Sequence, residues 1–103
     1  MSGAPAAALS VDDPAAALAR RPSIAPGFRL QWEPVQDAHV LLYPEGMVKL
    51  NGSAGEILSR CDGQRTLADI VAALEAEYQA QGLTGDVLAF IAIAQQQRWI
   101  AFA

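Results

Sequence analysis

Two short apolar runs, His39-Val40-Leu41-Leu42-Tyr43 and Met47-Val48-Lys49-Leu50, stand either side of Pro44-Glu45-Gly46, and the second stops at Asn51. Proline has the fixed φ that suits the first central position of a turn, and Gly46 closes it. Asn is a residue that opens helices. The stretch therefore predicts a β-hairpin feeding directly into a helix. Its second strand is very short, and no other segment obviously pairs with that strand's far side. A short free edge beside a helical layer is a place where a partner peptide can add as an extra strand.

Upstream, Phe28-Arg29-Leu30-Gln31-Trp32-Glu33 alternates apolar and polar residues, the period of a half-buried strand. Phe28, Leu30 and Trp32 share its inner face, and Pro34 ends it. With the hairpin it predicts a small antiparallel meander. Three helical segments follow. The first has two candidate caps, Asn51 and Ser53, the latter with Glu56 in capping-box spacing. Ala54, Ile57, Leu58 and Cys61 fall on one face, and Asp62-Gly63 stops it. Thr66 is the expected cap of the second helix, with Asp69 in its first turn and an apolar stripe from Leu67 to Tyr78. Gln81-Gly82 is its expected stop. Thr84 is the expected cap of the third helix, whose apolar surface is Val87, Leu88, Phe90, Ile91 and Ala94. Trp99-Ile100-Ala101-Phe102 is apolar enough to pack back onto the body.

Residues 1–21 are rich in Ala and Pro with few large apolar side chains, and so cannot bury enough surface to offset chain entropy. They read as a flexible tail that can order against a partner. Asp13 followed by Pro14 is the one local signal in them, a cap and first position for a short helix.

At 103 residues, 52% hydrophobic and 17% charged, the chain makes one folded domain with a small core. A formal net charge of -4 argues against general nucleic-acid binding, which needs Lys and Arg against phosphates. A single cysteine permits no intrachain disulfide and fits a reducing compartment. No apolar run spans a bilayer, and the Ala-rich start is a poor signal peptide, so a cytoplasmic location is expected.

Catalytic chemistry has few candidates. His39 has no companion ligand for a metal, and Cys61 has no cluster of cations to lower its pKa. Glu45 fits a turn and Glu56 a cap. No glycine-rich phosphate loop, CxxC or HExxH occurs. Ser53 at a helix start invites comparison with a phosphopantetheine carrier, but the Asp-Ser-Leu pattern is missing. A winged-helix DNA reader is the alternative function. Its recognition helix would carry Asp86 at the end that enters the groove, with Gln95, Gln96, Gln97 and Arg98 only at the other.

The order and spacing of several short pieces is similar to the PqqD family of RiPP recognition elements. The pieces are Pro26-Gly27-Phe28-Arg29-Leu30, Leu42-Tyr43-Pro44-Glu45-Gly46, Leu50 through Leu58, Cys61-Asp62-Gly63, Asp86-Val87 and Arg98-Trp99-Ile100. The likeness runs over about residues 22–102. It implies an α+β, winged-helix-like domain over 22–103: a three-stranded antiparallel sheet followed by a three-helix bundle. It implies a non-catalytic peptide chaperone of pyrroloquinoline quinone (PQQ) biosynthesis with no cofactor or metal of its own. Such a module binds the precursor peptide PqqA and presents it to PqqE, a radical S-adenosylmethionine enzyme that joins a Glu and a Tyr of the peptide. Related modules bind the peptide along the third strand, under the third helix. Carried onto this chain, the peptide-binding residues are Met47, Val48, Lys49 and Leu50 on the strand, with Val87, Phe90, Ile91 and Ala94 on the helix. Val48→Pro is then expected to weaken binding more than Val48→Ala, by removing a backbone donor. The exposed edge also leaves an edge-paired or strand-exchanged homodimer open.

Overall fold

The structure, a computed structural model, describes residues 13–102. A short helix α1 (Pro14–Leu18) is capped by Asp13, whose carboxylate accepts from the Ala16 N–H at 3.2 Å. Pro14 sits at its first position, where no backbone donor is missed. Ala17 is buried in the core. Of the tail expected over residues 1–21, residues 1–12 lie outside the described residues; residues 14–18 form this helix.

The next strand, β1 (Pro22–Ile24), pairs antiparallel with the last, β5 (Ile100–Phe102), in register Ser23↔Ala101. The two make a clasp between the start and end of the described chain. The closing run therefore packs back as its composition suggests, and the Arg20 guanidinium lies 4.0 Å over the Phe102 ring.

The main sheet is a meander in the order β2 (Arg29–Glu33), β3 (Ala38–Tyr43), β4 (Gly46–Lys49). Leu41, on the central strand, faces both Leu30 and Val48 across the ladders. It is fully buried against the helices. The opposite face carries a polar row, Arg29 to Gln31 to Glu33, joined by side-chain hydrogen bonds of 3.3 and 3.2 Å. Trp32 is half exposed and sets its edge on His39, ring centroids 5.0 Å apart.

Three helices complete the domain: α2 (Gly52–Leu58), α3 (Leu67–Tyr78) and α4 (Thr84–Gln96). The expected α+β arrangement, a three-stranded antiparallel sheet followed by three helices, is the one adopted. At α2 the choice of cap falls to Asn51, whose Oδ1 accepts from Ala54 N–H at 2.8 Å; the Ser53 hydroxyl donates to that same oxygen. A Cβ on Gly55 would stand 2.6 Å from His39 Nδ1, so this glycine sets how closely α2 approaches β3.

Helix α3 starts with a full capping box, Thr66 Oγ1 accepting from Asp69 N–H and the Asp69 carboxylate accepting from Thr66 N–H. Those bonds hold the Asp69 carboxyl below its ordinary 3.8. Its stabilisation is complete above the unfolded value and fades as pH falls through the lower folded one. Thr66→Ala is expected to cost about 1 kcal/mol, read as a lowered urea midpoint. Adding Asp69→Asn should also flatten the acid limb of the stability curve.

Two helix boundaries differ from expectation. Helix α3 ends at Tyr78, with Gln79 left-handed at φ 51°, rather than at Gln81-Gly82. Helix α4 takes no side-chain cap from Thr84; its N-cap is Leu83, whose N–H donates to Glu75 Oε2 at 3.0 Å. The first-turn amides of α4 thus have no side-chain cap, and Glu75, eight residues before Leu83, bonds the N-cap residue's own N–H. Arg60 ties α2 to α3 by pairing with Glu56 at 2.7 Å and with Glu77.

Candidate functional site

Strand β4 is an edge among the described residues, since only β3 pairs with it. Its register is Val40↔Lys49, Leu41↔Val48, Leu42↔Met47 and Tyr43↔Gly46. Just beyond, Leu50 N–H donates to His39 C=O at 3.0 Å. In an antiparallel ladder, bonded and non-bonded pairs alternate along the strand. Leu50 bonds inward, so Val48 and Gly46 do too. Met47 and Lys49 therefore direct their N–H and C=O groups outward, away from β3. Side chains alternate as well. Val48 and Leu50 turn to the core, while Met47 is 50% exposed and Lys49 is exposed.

The eight expected contact residues thus separate by burial. Leu50 is 5% exposed, Val87 2%, and Ile91 and Ala94 0%, and all four belong to the core cluster. Val48 and Phe90 pack on that core while keeping some surface. Phe90 leans on Trp99, ring centroids 6.5 Å apart. Surface for direct side-chain contact is therefore offered by Met47, Val48, Lys49 and Phe90. The helix residues share one apolar stripe in the sequence, and a stripe alone does not say which members are open.

A cleft of about 280 Å³ lies where α2, α3 and α4 meet. Ile57, Leu74, Leu83 and Val87 give it apolar walls, and Ser53, Glu56, Tyr78 and Asp86 complete its lining. No sequence motif joins these residues, because they come from three helices and the N-cap Leu83. Partial desolvation, then the carboxylates of Glu56 and Glu77, hold the Tyr78 phenol above its ordinary 10.

Of the candidates for chemistry, His39 and Glu56 line one hollow of about 190 Å³ beside Asn51. The Cys61 thiol is buried and pushed up to about 12, by desolvation first and by the Asp62 charge second. It donates to Ile57 C=O at 3.4 Å. Among the described residues, no group of three or more His, Cys, Asp and Glu could hold a metal ion. No described helix is long and apolar enough to cross a membrane.

The architecture is that of a recognition element. It is similar to the solution NMR structure of the PqqD truncation of Methylobacterium extorquens PqqCD, a functional, stand-alone RiPP recognition element. The TM-score is 0.66 at 32% identity, over 78% of this chain and 87% of that one. A family model for coenzyme PQQ synthesis protein D (PqqD) matches residues 38–100. The PqqA binding protein of Stutzerimonas stutzeri is 52% identical over 81% of this chain and 91% of its own length. That of Pseudomonas aeruginosa is 58% identical over 77% and 87%. The chain belongs to the PqqD family.

Proposed function

We propose that this protein is a non-catalytic peptide-binding module of PQQ biosynthesis, which takes the precursor peptide PqqA as an added strand on β4 and presents it to the radical enzyme PqqE. The relatives named for PqqA binding and the solved recognition element support the peptide and the pathway. The observation that carries strand addition is the outward pair Met47 and Lys49, which offers two donors and two acceptors at one edge.

Main-chain bonds contribute about 0.5–1.5 kcal/mol each. An anchored apolar side chain adds about 1.5–3 kcal/mol. Ordering the peptide costs about 2–5 kcal/mol. A few bonds with two or three anchors reach about -8 kcal/mol, which is micromolar. The DNA-reading alternative gains nothing from the fold: Asp86 stands in the first turn of α4 and Asp69 in that of α3. An edge-paired dimer would use the same strand, so added peptide should dissociate it.

Amide shift mapping of the labelled protein with synthetic PqqA tests the reading. Signals of Met47 and Lys49 should move most within β4, with further movement around Phe90. Unmoved amides over 47–50 and 87–94 at saturating peptide would overturn it.

A further inference from the structure

We propose that the cleft between α2, α3 and α4 is the selectivity pocket of this module, and that it takes one aliphatic or aromatic side chain of the guest peptide with a lysine or arginine beside it. The inference rests on the strand-addition reading and supplies what that reading lacks, since main-chain pairing is indifferent to sequence.

The cleft has room for one large side chain, and its walls are apolar: the buried core residues Ile57, Leu74 and Val87 line it, and half-buried Leu83 adds the more open apolar edge. Its surroundings are acidic. Glu56 and Asp86 line it, Glu77 stands behind Glu56, and Glu75 holds the start of α4. Against these four carboxylates stands one guanidinium, Arg60, which is committed to Glu56 and Glu77. The Asp86 carboxylate has no hydrogen-bond or ion-pair partner among the described residues. Desolvation raises the half-exposed Tyr78 phenol first, and the Glu56 and Glu77 carboxylates raise it further. An apolar hollow whose rim carries the unpaired Asp86 fits an apolar anchor next to a cation, and rejects the same anchor next to an Asp or Glu.

The cleft also continues the edge. Strand β4 ends at Lys49, Asn51 caps α2, and Ser53 in the first turn of α2 stands at the cleft. Only residues 50–52 separate the end of β4 from Ser53, so a guest extended past Leu50 has a short span to cross.

The probe is synthetic PqqA together with a panel in which each apolar residue in turn becomes Ala and each Lys or Arg becomes Glu. The proteins are the unaltered chain, Ser53→Trp, which fills the cleft from an exposed helical position, and Asp86→Lys, which reverses its charge. Each variant is checked by thermal unfolding. Titration should find one apolar position whose Ala change costs tenfold or more with the unaltered chain. The same change should cost under twofold with Ser53→Trp, which itself binds about tenfold more weakly. Asp86→Lys should lose fivefold or more, and one Lys or Arg to Glu peptide should recover most of that loss. If both folded variants bind unaltered PqqA within twofold of the parent while the Met47 and Lys49 amides still shift, the pocket is refuted and strand addition stands. If those amides do not shift in the unaltered chain, strand addition fails and the pocket fails with it.

Discussion

Lys49→Pro is expected to weaken PqqA binding by tenfold or more in a domain that stays folded, whereas Val48→Pro is expected to unhinge β4 itself. The two positions are neighbours, and both side chains sit on a four-residue strand. They differ in the direction of their backbone. Lys49 forms a non-bonded pair with Val40, so its N–H points to the outer side, where a guest strand would accept it. Proline there removes that donor and turns its ring toward the guest. Edge strands tolerate proline when the lost donor faced solvent, so the sheet should keep its register. Val48 is paired with Leu41 and bonds inward, and its side chain packs on the core. Proline at 48 removes a β3–β4 ladder bond, about 0.5–1.5 kcal/mol, and part of the apolar surface that Val48 packs on the core. Lys49→Ala separates the donor from the charged side chain and should retain most of the binding. The measurements are titration with PqqA and a urea curve for each variant. Equal affinity for Lys49→Pro and Lys49→Ala would show that this outward group is not used.

That assignment corrects what the sequence alone led to, which was Val48 as the strand donor. The hairpin was legible because Pro44 and Gly46 fix a turn and apolar runs flank it. Which residues of β4 face outward was not, because that depends on the β3–β4 register and on one bond, Leu50 to His39. Local chemistry was read well elsewhere: Thr66 with Asp69 is a capping box within four residues, and it forms. The start of α4 shows the converse, since Thr84 makes no cap and the bond that anchors Leu83 comes from Glu75 on the preceding helix. The β1–β5 clasp joins residues 78 apart, such as Ser23 and Ala101, through strands of three residues, and no period shows in so short a run. The cleft was invisible for a related reason. Its walls are drawn from three helices, each of which read from sequence as an ordinary apolar stripe.

Ile91→Ala should lower stability by about 2–5 kcal/mol, the range for deleting a buried aliphatic side chain and leaving its cavity. Ile91 is wholly buried in the core cluster that also holds Leu41, Leu67 and Ile70. A small domain stands toward the low end of the usual range of about 5–15 kcal/mol, so the variant should unfold well below the parent's midpoint on heating. Its loss of PqqA binding should then follow the folded fraction and vanish when titration is done in the cold on folded protein. Phe90→Ser is expected to behave differently. Phe90 keeps a face in solvent and touches Trp99 along one side, so less packing is lost on truncation. A guest held under α4 would contact that open face, so affinity should fall in the folded state itself. Urea melts paired with titrations at two temperatures separate the cases. If Ile91→Ala unfolds within about 0.5 kcal/mol of the parent, well inside the ordinary range for surface changes, yet binds poorly in the cold, then Ile91 reaches the peptide. The division of α4 into an open Phe90 and a closed Ile91 would then be wrong.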